Sequence, residues 1–153
     1  MVRKLLGDGA QIDATDLSGR TGLMLACWKG MDGVAGFLLT SQNADIEPLN
    51  IKNRSALHIA AMEGNLRCVQ ILTTSLQSDW EWVNWKDEEG RSALHLAAAN
   101  GELDVCKYLI YEAEADYDLV ARRSSAEHLI ATKAPRCTAT AWILTVDESF
   151  AKF

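Results

Sequence analysis

Proline is nearly absent from this chain, with 2 in 153 residues, where an average usage of about 5% gives roughly eight. Few turns are therefore set by a locked φ. Cysteine is sparse as well: the four residues contain no CxxC pair, which excludes a dense disulfide framework and points to reduced thiols in a cytosol-like compartment. No apolar run approaches the roughly 18 to 20 residues that a membrane-spanning helix needs. The start, MVRKLLGDGAQ, offers only Leu5 and Leu6 before Gly and Asp intervene, too little for a signal peptide. Positive charge is not in excess: 15 Lys+Arg stand against 21 Asp+Glu, a formal charge of −6. That balance disfavours nonspecific binding to nucleic acid or to an anionic membrane. The sequence also has no P-loop, GxSxG, HExxH or GxGxxG motif, and no enzymatic site is expected in it. What is present, 48% hydrophobic and 24% charged residues, is the balance of an ordered globular chain.

Internal repetition is the strongest positive signal. GRTGLMLACWKG at 19–30, NRSALHIAAMEG at 53–64 and GRSALHLAAANG at 90–101 align, with Thr21, Ser55 and Ser92 separated by 34 and 37 residues. The segments AQIDATD, ADIEPLN and EWVNWKD end at Asp16, Asn50 and Asp87, each five residues before that Thr or Ser. Thr and Ser are good N-caps, because the hydroxyl accepts an otherwise orphan N–H of the first turn. Gly30, Gly64 and Gly101 suit the left-handed residue that closes a helix. Ala60/Ala61 and Ala97/Ala98 keep one face thin. A second helix follows, with Val34/Phe37/Leu38, Val69/Ile71/Leu72 and Val105/Leu109/Ile110 as its apolar stripe. Each unit thus reads as two short helices and a hairpin-like turn.

On these residues the chain resembles the ankyrin-repeat family, whose units of about 33 residues carry a Thr-Pro-Leu-His signature. SALHIAA, SALHLAA and GDGAQIDATD carry the likeness. The departures are Gly22, Ala56 and Ala93 in the proline slot, Met24 in the first histidine slot, and a three-residue insertion around SDWEW. The resemblance implies one all-α solenoid domain over 1–153. Its parts are a partial repeat at 1–16, repeats at 17–50, 51–87 (with the insertion) and 88–121, and a degenerate capping repeat at 122–153. The start of the chain, reading as a second helix and tail without a first helix, is what a fragment of a longer protein or an unusual cap gives.

His58, His95 and His128 invite a metal or catalytic reading, but the resemblance assigns an imidazole after a capping Ser to hydrogen bonds within and between repeats. Cys27, Cys68, Cys106 and Cys137 lie 41, 38 and 31 residues apart, unlike the short ligand spacings of zinc sites. No cofactor or metal is expected. The family binds protein partners across its turn tips and the exposed ends of its first helices. Carried over, the tips are Leu17, Ser18 and Arg20; Ile51, Lys52 and Arg54; Glu88, Glu89 and Arg91. The helix ends are Trp28/Lys29, Met62/Glu63 and Ala99/Asn100. Trp28 and Met62 stand out as apolar anchors at solvent-facing positions, or else as residues packed on each other or on a neighbouring turn. Arg20, Arg54 and Arg91 form either a basic ladder or a structural set. Within the insertion, Trp85 fills a small-residue slot and is expected to pack, whereas Trp80 is the better candidate for partner contact.

Two modification signals remain: Ser125 in RRSS, which equally suits an N-cap, and Asn84, at a tail position hydroxylated in some ankyrin proteins. The expected function is a noncatalytic protein-interaction module, adaptor or scaffold, intracellular and most simply cytoplasmic or nuclear, with a monomer favoured. The alternatives are a regulatory or targeting segment of a larger enzyme, a small ankyrin-type kinase inhibitor, or a structural subunit of a large assembly.

Overall fold

A computed structural model describes Gly9 and residues 11–75 and 80–116. The second helix expected before residue 9 and the whole 122–153 cap lie outside the described residues, and so do Ser125, His128 and Cys137. Among the described residues there are seven helices: α1 (Gly22–Trp28), α2 (Asp32–Gln42), α3 (Ala56–Met62), α4 (Leu66–Ser75), α5 (Trp80–Val83), α6 (Ala93–Asn100) and α7 (Leu103–Tyr111). The only extended pairing among them is an isolated bridge between Thr15 and Thr21.

Local chemistry starts each first helix. The Thr21 hydroxyl accepts the Met24 N–H at 3.3 Å. Ser55 and Ser92 form capping boxes with His58 and His95, each serine hydroxyl accepting the histidine N–H while the imidazole accepts the serine N–H. With the caps supplied by hydroxyls, the first helical position tolerates Gly22, Ala56 and Ala93 where proline is pre-organised. Gly30, Gly64 and Gly101 then reverse the chain at φ of +66°, +72° and +79°, as expected of left-handed helix ends.

The repeats stack in two layers. First helices α1, α3 and α6 pack side by side, second helices α2, α4 and α7 do the same, and each first helix also packs on the second helix of its own repeat. Buried alanines and one cysteine make the close approach possible: Ala26/Cys27, Ala60/Ala61 and Ala97/Ala98 fill equivalent positions, all 3% exposed or less. Leu23, Leu57 and Leu94 continue the core from the first helices, and Leu38, Leu72 and Leu109 from the second. The buried stripe of the second helices is shifted from the one the sequence suggests. Ala35, Val69 and Cys106 fill one further column and Cys68 and Val105 another, while Phe37, Ile71 and Ile110 sit half-buried on the flank.

The insertion forms the short helix α5. Val83 is buried and Trp82 packs against the core. Trp85 departs from the expectation, being 41% exposed. Its slot faces outward in the other tails too, where Ala14 is exposed and Pro48 half-buried, because the apolar residue two positions earlier, Ile12, Ile46 or Val83, takes the inward place. Trp80 begins α5, but its side chain lies outside the described residues.

Candidate functional site

The three turns preceding α1, α3 and α6 are built from one device. A side-chain oxygen of Asp16, Asn50 or Asp87 accepts two backbone N–H groups, two and four residues on. Asp16 holds Ser18 and Arg20 at 2.8 and 2.9 Å, Asn50 holds Lys52 and Arg54 at 2.9 and 3.0 Å, and Asp87 holds Glu89 and Arg91 at 3.0 and 2.9 Å. Such Asx geometry competes with helix and sheet and fixes a tight turn. Each turn also needs one left-handed residue, supplied by Gly19, Asn53 and Gly90. Adjacent tips are tied together, the Ile51 N–H donating to the Ser18 carbonyl and the Glu88 N–H to the Lys52 carbonyl, both at 3.1 Å.

The arginines do not form a free basic ladder. Arg20 pairs with Asp16 within its own turn at 2.7 Å, and its guanidinium draws the Asp16 carboxyl below the usual range. In the second turn Asn50 is neutral, so Arg54 reaches 33 residues ahead and donates to Asp87 at 3.1 Å. Arg91 donates to the same oxygen at 3.0 Å, and both arginines also meet Glu89. The Asp87 side chain has no solvent exposure. Burial pushes its pKa up, but the Arg91 backbone N–H and the two guanidinium groups outweigh that and bring it down to about 2.

His58 joins the same interface. Its Nδ1 accepts the Ser55 N–H, and the Ser55 Oγ lies 2.9 Å from the same nitrogen; Nε2 faces the Arg91 carbonyl at 3.2 Å. This network assigns the proton to Nε2, which donates to that carbonyl. Burial lowers the His58 pKa to about 4. The imidazole is thus neutral and fully engaged in linking the second repeat to the third turn. Met24, at the matching place in α1, is 1% exposed and fills the space without a polar link. Cys27, Cys68 and Cys106 are buried free thiols, and burial pushes Cys106 up to about 12, which keeps it in the thiol form. Among the described residues no group of three or more His, Cys, Asp or Glu is arranged to hold a metal ion.

The expected docking residues lie on two adjoining rows, the turn tips and the ends of α1, α3 and α6. Leu17 and Ile51 are 104% and 70% exposed at equivalent tip positions. Trp28, 38% exposed, is flanked by Lys29, whose Nζ lies 3.9 Å from the ring centroid, and by Arg20 at 5.3 Å. These are cation–π distances. Met62 is half-buried, and its sulfur accepts from Arg54 Nη1 at 3.8 Å. Arg20 to Trp28 and Arg54 to Met62 are therefore the same contact, eight residues apart, in successive repeats. Lys52, Glu63, Glu88 and Glu89 are exposed around this surface. Asn100 instead turns its amide N–H onto the Met62 carbonyl at 2.7 Å, as Asn65 does to Cys27 at 2.7 Å, clasping the end of the preceding first helix. Asn84 Oδ1 accepts the Asp116 N–H at 2.8 Å, just as Asp13 accepts that of Asp45 at 3.0 Å.

A model of ankyrin repeats, three copies, matches residues 23–121, well over half of the chain. The chain belongs to the ankyrin-repeat family. Members of the family generally serve as protein-interaction modules that bind protein partners. Among the described residues of this ankyrin array no helix is long and apolar enough to cross a membrane. Sequence reasoning missed the Asp87 hub, for which the exchange of Asp for Asn at position 50 is the available signal: it releases Arg54 from its own turn.

Proposed function

We propose that this ankyrin chain is a noncatalytic adaptor or scaffold that holds a protein partner against its turn tips and first-helix ends. It acts as a monomer, without metal or cofactor, in the cytoplasm or nucleus. The observation that carries this reading is the exposure of Leu17 and Ile51 at equivalent turn tips and of Trp28 at a first-helix end, large apolar side chains on the two rows that face the proposed partner. Apolar groups ringed by fixed charges are what a binding hot spot offers. The arginine–carboxylate pairs under the tips hold the surface in one shape, so little conformational entropy is lost on docking. The acidic balance of the chain, −6, favours protein over nucleic acid as the occupant.

The test is affinity capture from native extract with the wild-type chain and with Trp28→Ala/Met62→Ala, read by mass spectrometry. A partner is expected on the wild-type chain and lost from the double variant. Exposed cation–π pairs contribute only about 0.5–1 kcal/mol. Folding should therefore survive, with a melting temperature lowered by no more than about 5 °C. Unchanged capture by the double variant, or loss of capture together with loss of folding, refutes the assignment of these residues as anchors.

A further inference from the structure

The docking face has two unlike halves, and both its apolar and its charged residues change at the same boundary. The exposed tip residues Leu17 and Ile51 give way to Glu88 in the third repeat, and the helix-end residues Trp28 and Met62 give way to Ala99. Charge follows the same step. Asp16, Arg20 and Lys29 leave one positive charge on the first repeat, and Lys52 and Glu63 cancel on the second. With Arg54 seated on the third turn, Asp87, Glu88, Glu89 and Glu102 against Arg54 and Arg91 leave two negative charges there. Between the second and third repeats lies an open depression of about 380 Å³ lined by Met62, Glu63, Asn100 and Glu102. It brings Glu63 and Glu102 together at a size that admits a lysine or arginine side chain.

Stacked helices sit about 8–10 Å apart, so the three rows span roughly 20 Å. An extended chain rising about 3.3 Å per residue covers that span with some six or seven residues. We propose that the partner element seated here is an extended peptide segment of about that length with opposed ends: an acidic, apolar half over Trp28, Lys29, Ile51 and Lys52, and a basic half over Glu88 and Glu102. Charge complementarity fixes its direction along the stack, and the apolar half supplies the anchor. This inference rests on the docking reading above and specifies its occupant. Because Lys29, Lys52 and Glu88 are exposed, affinity falls as salt rises.

A phage-displayed library of random linear 12-residue peptides, selected on the immobilised full chain and then scored for binding to Trp28→Ala/Met62→Ala, tests it. The expected peptides carry acidic and apolar residues in one half and Lys or Arg in the other. Their affinity should fall at least tenfold on Lys29→Glu/Lys52→Glu and on Glu88→Lys/Glu102→Lys, each checked for folding by circular dichroism. Peptides that need Trp28 but carry one sign of charge, or none, overturn the opposed-end segment and leave the docking face standing. Peptides indifferent to Trp28 and Met62 overturn both. No enrichment at all rules out a linear segment as occupant and leaves the face to the capture experiment.

Discussion

Replacing Asp87 by Ala removes the acceptor on which the interface between the second and third repeats converges. Its two oxygens take two backbone N–H groups and the guanidinium groups of Arg54 and Arg91, and its side chain has no solvent exposure. Two magnitudes bear on the loss. The fall of its pKa from 3.8 to about 2, at about 1.4 kcal/mol per unit, puts roughly 2–3 kcal/mol on the charge alone. Removing one member of a buried ion pair costs about 3–5 kcal/mol, and the low end applies here because Arg54 and Arg91 keep Glu89 as a second partner. Asp87→Ala is therefore expected to lower the unfolding free energy by about 3 kcal/mol, and Asp87→Asn by about 2 kcal/mol. Asp16→Ala, which removes the equivalent but exposed carboxylate of the first turn, serves as the control and should cost far less. Urea unfolding at pH 7, followed by far-UV circular dichroism, measures all three, and an unchanged slope shows that the array still melts as one unit. The pH dependence supplies a second signature. The folded-state pKa of Asp87 is depressed, so its stabilisation is complete above pH about 4 and is lost as pH falls toward 2, a slope that Asp87→Asn abolishes. A loss below about 1 kcal/mol, or one no larger than that of Asp16→Ala, refutes the hub.

Four further outcomes follow from the same geometry. His58 is held neutral with a pKa of about 4, so the unfolded chain takes up its proton first and stability falls as pH drops from about 6.5 to 4; His58→Gln flattens that part of a pH series of urea midpoints. Gly64→Ala strains a φ of +72° and sets a Cβ against the Glu102 carboxylate, costing about 1–2 kcal/mol in thermal unfolding. By contrast, Gly33→Ala in α2 meets nothing within 4 Å and stabilises by about 0.5–1 kcal/mol. Asn65→Ala removes the clasp on the Cys27 carbonyl and is expected to cost about 1 kcal/mol, with faster hydrogen exchange at the end of α1.

Much of this fold is written locally. A hydroxyl cap, a histidine three residues on and a glycine at the helix end are short-range signals, each with its own physical requirement, and their recurrence locates the helices. The Asx turns were partly visible as Asp16, Asn50 and Asp87 at one fixed distance from the cap. The burial of one of them was not, because it depends on Arg54 crossing to the next repeat. Nor was the outward face of Trp85 legible: residue size suggested packing, whereas the place is decided by Val83 filling the inward slot first. The anchors Trp28 and Met62 were recognisable by position, but their arginine partners were not, since each contact joins a turn residue to the far end of the following helix and no single period spans both.

The most direct test of the docking face is the hydrogen-exchange footprint of the captured partner on the full chain. Protection is expected in peptides covering 17–20, 28–30, 51–54, 62–64, 88–91 and 99–102, with the bodies of α2, α4 and α7 unchanged. Protection concentrated on those second helices, with the tips exchanging as in the free chain, contradicts the account.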